Sequence, residues 1–308
     1  MLGLILTVTE KDAGSEIPCR GLGADSPDVP QKEPNMQNEA VSLLRCPICS
    51  GSFRHQGNSL ICEKGHCYDI ARQGHVNFVP NAKSSFYRKE LFESRAVAFE
   101  AGVFRPVIDA ISDTLRRYAL QECPVIADAG CGEGYYTEAV RKALGTAEVY
   151  GFDISKLAVK AAAGKYKEIG FAVASSFAIP VPAGFCGCLI NVFAPMAEEE
   201  FRRVVRPGGV MILAVPGERH LYGMKEILYQ EPYENEHRET EYSGFSFVSR
   251  TAVREEIWVP DAGTAMDLFA MTPYYWKTGV DGGKRLRETR GFSTEIAFDF
   301  LVYRRTER

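Results

Sequence analysis

The chain has 308 residues, 45% of them hydrophobic and 25% charged, with a formal net charge of −4. That length holds one large domain of roughly 200–250 residues plus something small, and the composition is ordinary for a globular protein. It excludes a general polycation, so any nucleic-acid contact must come from a local basic patch, and no apolar run approaches the ~18 residues of a membrane span, so no membrane partner is expected.

The opening residues MLGLILTV are apolar but lack a basic flank, and Glu10 and Asp12 follow them. This argues against a signal peptide. Residues 9–40 are rich in Gly, Pro, Asp, Glu, Asn and Gln without periodicity, so 1–40 is expected to be a disordered extension. Met36 precedes the first cysteine motif closely and is a candidate true start, which would make the first 35 residues dispensable. A native acidic tail is the alternative.

Residues 41–82 read as a zinc-binding module. Cys46-Pro-Ile-Cys49 is followed after twelve residues by Cys62 and after three more by His66. Two close pairs meeting across a hairpin give a tetrahedral Cys3His site closed to water, hence structural, and such modules draw folding energy from the metal. Cys67 competes with His66 for the fourth place, since adjacent residues rarely reach one metal together. His55, in the intervening loop, reads as exposed, and His75 lies too far along. In residues 41–90, seven Lys/Arg (45, 54, 64, 72, 83, 88, 89) face three acids (63, 69, 90), a local +4. Cys123, Cys131, Cys186 and Cys188 fall in apolar, strand-like sequence and read as reduced core residues, which suits a cytoplasmic protein.

Residues 83–308 form the large domain. Residues 88–120 read as two helices, the second beginning at Pro106, the favoured first helical position. Alternation then starts. Strands are expected at 125–130, 148–154, 171–175, 188–193 and 210–216. A helix is expected at 135–144, another after Ser155 as its N-cap, and a third opened by the acids at 198–200 and ended before Pro207-Gly208-Gly209. Residues 217–245 read as polar and partly helical, and the last strands as 255–260 and 295–304. Such βα alternation implies a parallel, doubly wound sheet.

The strongest signal in this domain is Asp128-Ala-Gly130-Cys-Gly132-Glu-Gly134, directly after its first strand. Glycines there allow a tight turn and let a ligand press on bare backbone. Some twenty residues on, the next strand ends at Asp153, where a carboxylate accepts hydrogen bonds from ribose hydroxyls. A nicotinamide site would want a glycine three residues after Gly132. Tyr135 stands there, and Glu133 within the loop would repel a pyrophosphate. S-adenosylmethionine, which carries an ammonium and a sulfonium, suits the acidic loop better. The fold expected is therefore α/β, a Rossmann-like class I methyltransferase domain behind a small N-terminal zinc-binding module.

Together these motifs resemble the bacterial 23S ribosomal RNA guanine-N1 methyltransferases of the RlmA/RrmA type. LRCPICSGSF and NSLICEKGHCYDIARQGHVNFVP look like that family's zinc module, and DAGCGEGYYTEAV like its cofactor loop. GFDISKLAVKAAAGKY, VASSFAIPVP, RVVRPGG, VPGERHL and MTPYYW fall in the family's order. The resemblance covers about residues 43–305. It implies metal ligands at Cys46, Cys49, Cys62 and His66, favouring His66 over Cys67. It implies cofactor contacts at Phe104, Glu133, Gly134 and His220, where the residues alone suggest core packing for Phe104 and an ordinary loop for His220. It implies a homodimer whose zinc module recognises 23S ribosomal RNA. One departure stands out. The strand at 188–193 ends Asn191-Val-Phe-Ala-Pro195, with Asn191 where the family commonly has a basic residue.

Methyl transfer to guanine N1 displaces a proton, yet no residue presents itself as the base. Asn191 and Phe193 are candidates for positioning the guanine by amide hydrogen bonding and stacking, or they merely finish a strand. Tyr274, Tyr275 and Trp276 either stack on RNA or belong to the core. Two other functions compete: a small-molecule methyltransferase with a purely structural zinc module, and a zinc-dependent RNA-binding protein without catalysis.

Overall fold

A computed structural model describes residues 43–80, 95, 104–118, 125–145, 148–236, 240–272 and 274–307. The N-terminal extension, Met36, Cys123, most of the helix expected before Pro106 (Arg95 excepted) and the basic residues at 83, 88 and 89 lie outside the described residues.

The first unit is a three-stranded antiparallel sheet of β1 (Phe53–Gln56), β2 (Ser59–Cys62) and β3 (Cys67–Asp69). Phe53, Tyr68 and Phe78 form its own small aromatic centre, with ring centroids 4.9–5.8 Å apart. Then comes β4 (Val76–Asn77), which leaves the module to become the edge of the large sheet.

That sheet contains β5 (Val125–Ala129), β6 (Glu148–Asp153), β7 (Gly170–Val173), β8 (Cys186–Val192), β9 (Val205–Pro216), β10 (Phe245–Val259) and β11 (Phe292–Arg305). The helices are α1 (Arg105–Tyr118), α2 (Tyr135–Leu144), α3 (Lys156–Lys165), α4 (Glu198–Val204), α5 (Tyr222–Leu228), α6 (Ala262–Ala270), α7 (Tyr274–Lys277) and α8 (Val280–Arg287). The strand order is β10-β11-β9-β8-β5-β6-β7-β4, with β11 antiparallel to both neighbours and the rest of the pairings parallel. The chain winds outward from β5 through β6 to β7, then returns to the other side of β5 with β8. The carboxyl ends of β5 and β8 therefore flank the topological switch point, where a ligand crevice opens in such sheets.

The expected alternation holds. Ser155 caps α3, its hydroxyl accepting the Ala158 N–H at 3.3 Å. Cys131, Cys186 and Cys188 are buried, and no disulfide joins the described cysteines. Two expectations need correction. The strand after α4 begins at Val205, so Pro207-Gly208-Gly209 lies inside β9. The strand expected at 255–260 is the end of β10, which starts at Phe245.

The module and the sheet share one hydrophobic core. Leu44, Leu60, Ile70 and Val76 pack with Tyr150, Phe152, Ala172 and Ile179. Backbone bonds tie the same seam: Arg45 N–H donates to the Pro180 carbonyl at 2.7 Å and Phe78 N–H to the Val173 carbonyl at 3.0 Å. No helix among the described residues is long and apolar enough to cross a membrane.

Candidate active site and metal centre

The CPIC turn precedes β1, Cys62 ends β2, and His66 closes the tight turn into β3. These elements bring the donor atoms of Cys46, Cys49, Cys62 and His66 within 4.8 Å of one another. Cys49 Sγ lies 3.6 Å from Cys62 Sγ. His66 Nδ1 lies 3.5 Å from Cys46 Sγ and 3.2 Å from Cys62 Sγ. A tetrahedral zinc with bonds of about 2.3 Å to sulfur and 2.0 Å to nitrogen separates its donors by roughly 3.5–3.8 Å. The cluster is of that size. Cys67, the competitor for the fourth place, is not part of this group.

The second site lies at the switch point. Gly130, Gly132 and Gly134 all take positive φ, at 91°, 54° and 78°, conformations that L-residues with a Cβ resist. Gly130 is doubly constrained, because a Cβ there would overlap the Ala194 methyl in the loop after β8. The turn is pinned from β6. Asp153 Oδ2 accepts the Gly132 N–H at 2.9 Å and Oδ1 accepts the Ser155 N–H at 2.7 Å. Each carboxylate oxygen keeps lone-pair capacity for a further donor, so a ribose contact at Asp153 remains chemically open beside this bracing role.

Three carboxyl groups are withdrawn from solvent around the turn. Burial pushes Asp128 up to about 7, opposed by the Thr137 hydroxyl it accepts at 2.6 Å and reinforced by the charge of Asp153. Burial also raises Glu133, against the nearby Arg95 guanidinium, and raises Asp153, against its two backbone N–H donors. Asp128 Oδ1 and both Glu133 oxygens are buried and accept no hydrogen bond among the described residues. An acid-rich turn with unused acceptors suits a cationic, hydroxyl-bearing ligand and disfavours a pyrophosphate. S-adenosylmethionine fits this chemistry.

The opposite wall is aromatic. Phe193, directly after β8, holds a φ of 55°, a strained conformation for a bulky residue, and is 41% exposed. Its ring lies 4.5 Å from that of Phe298 and 6.2 Å edge-on from Tyr136. His220 packs on Phe298 at 4.4 Å, and Phe104 reaches it at 6.4 Å. Phe104 and His220, 116 residues apart in the chain, thus meet on one ring. His220 Nδ1 accepts the Ala297 N–H at 3.3 Å, which places the imidazole proton on Nε2. Burial, with Lys225 and Arg254 adding repulsion, lowers its pKa to about 3. Its imidazole is therefore neutral, and too weak a base to take a guanine proton.

For Asn191 the structure shows the strand-finishing placement that the sequence left open beside base positioning. It is buried at the end of β8, and its amide donates to the Ala129 carbonyl at 2.8 Å and the Pro195 carbonyl at 3.4 Å. Its donors are spent tying the β5 and β8 loops together rather than turned toward a base. Tyr274 is buried, while Tyr275 is 40% exposed and packs on Phe269. The sequence motifs do not point to Arg95 or Phe298. Phe298 carries no local signal, because it is one apolar residue in an apolar strand.

Comparison with known proteins matches both halves. A zinc-ribbon family described as "RlmA, N-terminal" matches residues 44–85, and one described as "Methyltransferase domain" matches residues 126–209. The chain is 30% identical over 276 residues to a Bacillus subtilis (strain 168) protein named provisionally as a 23S rRNA (guanine-N(1)-)-methyltransferase, spanning 85% of this chain and 96% of that one. This chain belongs to the 23S rRNA (guanine-N1)-methyltransferase family. A second relative is the 23S rRNA (guanine(748)-N(1))-methyltransferase of Streptomyces fradiae, 33% identical over 196 residues, 63% of this chain and 70% of the relative. Family membership makes the chain a zinc-containing, S-adenosylmethionine-dependent methyltransferase, and both groups fit the residues found here.

Proposed function

We propose that the protein transfers a methyl group from S-adenosylmethionine to N1 of a guanine in 23S ribosomal RNA. The observation that carries this reading is the union of two unrelated features in one core: the Cys3His cluster of a ribbon module, and a doubly wound sheet whose acidic glycine turn faces an exposed aromatic. The names of the two relatives point the same way.

In this reading Cys46, Cys49, Cys62 and His66 hold zinc. Gly130, Gly132 and Gly134 offer bare backbone to the donor, Asp153 takes the ribose, and Glu133, Phe104 and His220 complete the pocket. Bound S-adenosylmethionine supplies an electrophilic methyl carbon. The protein's own contribution is chiefly to position the two reacting atoms, which can supply about 7–11 kcal/mol of the barrier. Phe193, strained and exposed beside the crevice, presents a face on which an unstacked guanine can lie. Asn191 orients that wall from behind through Ala129 and Pro195. The basic zinc module holds the surrounding RNA backbone, and the working unit is a cytoplasmic homodimer.

Mapping reverse-transcription stops on ribosomal RNA from deletion and wild-type cells tests the proposal, because N1-methylguanine cannot pair. One stop present in wild-type RNA and absent from the deletion is expected. Identical profiles would turn the reading toward a small-molecule substrate.

A further inference from the structure

Arg95 lies 38 residues ahead of Glu133 and outside every motif of the glycine turn. The fold nonetheless brings its Nε to 3.2 Å from Glu133 Oε1. Its two terminal nitrogens lie 3.7 and 4.0 Å from where a Cβ on Gly132 would stand. The guanidinium therefore rests over the bare backbone of the turn. Both side chains are mostly withdrawn from solvent, at 22% and 16% exposure.

A withdrawn ion pair gains little net stability, because desolvation offsets the attraction. The turn does not need this pair to form. Gly132 N–H is held by Asp153, and Gly134 N–H by the Cys131 carbonyl at 2.9 Å. Glu133 still has both oxygens without a hydrogen-bond donor among the described residues. A cation and an anion set side by side over an open backbone form the charge-inverted counterpart of an α-amino-acid zwitterion, whose ammonium and carboxylate share one carbon.

We propose that Arg95 and Glu133 form the subsite for the amino-acid end of the methyl donor, Arg95 binding its α-carboxylate and Glu133 its α-ammonium. This rests on the donor assignment under Proposed function and adds a residue to it. The flat, forked guanidinium matches a carboxylate with two parallel hydrogen bonds, which lysine cannot reproduce. On binding, one internal ion pair is exchanged for two ion pairs to the ligand. A nucleoside lacking the amino-acid end leaves the internal pair undisturbed.

Titration calorimetry of the full chain with two ligands tests this. S-adenosylhomocysteine carries the amino-acid end, and 5′-methylthioadenosine is the same nucleoside thioether without it. Wild-type protein is expected to prefer S-adenosylhomocysteine. Arg95→Ala is expected to weaken that ligand about 10- to 100-fold, as loss of a charge-assisted pair implies, and to leave methylthioadenosine within about twofold. Arg95→Lys should fall between. Retained methylthioadenosine binding shows that the variant site is folded. Equal losses for both ligands, or unchanged S-adenosylhomocysteine affinity, would overturn the proposal while leaving the donor assignment intact. Wild-type protein that binds neither ligand would overturn the donor assignment, and this proposal with it.

Discussion

Asp153, at the end of β6, accepts the backbone N–H of Gly132 in the turn after β5, 21 residues earlier in the chain, at 2.9 Å. One carboxylate thus shapes the turn and, in the proposed reading, keeps lone pairs for the donor's ribose. Asp153→Ala removes both functions and leaves the Gly132 and Ser155 N–H groups without their partner. S-adenosylhomocysteine affinity should fall at least about tenfold. RNA affinity and its salt dependence should stay unchanged. Calorimetry and RNA titrations on the same variant check both halves, and a parallel fall in the two affinities would contradict the separation.

The buried acids predict a pH signature. In the donor-free protein Asp128 keeps its proton up to about pH 7, against an ordinary value of 3.8. Its folded pKa is raised, so it favours the folded state at low pH, and that contribution is lost as pH rises through about 7. A cation seated on the turn favours the ionised carboxylate. S-adenosylmethionine binding should therefore release protons near pH 6 and fewer above pH 8, and affinity should rise with pH across that window. Calorimetry in buffers of different ionisation enthalpy measures the release. Asp128→Asn should reduce it.

Much of this site is legible in the sequence, and the reasons are local. The turn, α2 and β6 follow from glycines, helical spacing and a terminal acid within some 30 residues, and α2 spans residues 135–144 as expected. The Cys3His set follows from spacing together with the family resemblance, which decides between His66 and Cys67. What escapes is what depends on distant chain. Phe298 joins Phe193 and His220 only because β11 inserts antiparallel beside β9. The first ten residues of β10 escape because most of them are exposed on this edge strand, leaving no apolar alternation to read. For Asn191 the sequence leaves base positioning and strand finishing both open, because it does not reveal that the Ala129 carbonyl lies 2.8 Å from the amide.

Metal removal tests the shared core. Leu44, Leu60 and Val76 pack with residues of the large sheet, and β4 pairs directly with β7. Chelation of zinc should therefore lower the melting temperature of the whole domain in one transition. An early, separate transition with the main one unmoved would show the module to be energetically independent. Cys67→Ser should keep one zinc per chain, and His66→Ala should lose it.

The basic residues of the module give a salt-dependence prediction. Arg54, Lys64 and Arg72 are exposed, whereas Arg45 Nη1 is engaged with the Leu43 and Leu44 carbonyls at 3.1 and 3.0 Å. Neutralising Arg54, Lys64 and Arg72 together should flatten the slope of log RNA affinity against log salt by about 0.7–0.9 for each phosphate the module ceases to neutralise. Donor affinity should not change. An unaltered slope would reduce the module to a structural appendage.

The most direct measurement of the central claim is nucleoside mass spectrometry of 23S ribosomal RNA from deletion cells, incubated with the purified protein and methyl-labelled S-adenosylmethionine. The account predicts one labelled nucleoside, 1-methylguanosine, approaching one per RNA molecule, and formed more slowly when Phe193→Ala or Asp153→Ala protein is used. Label on another atom or base, or RNA that remains unlabelled while the protein binds its donor normally, would contradict it.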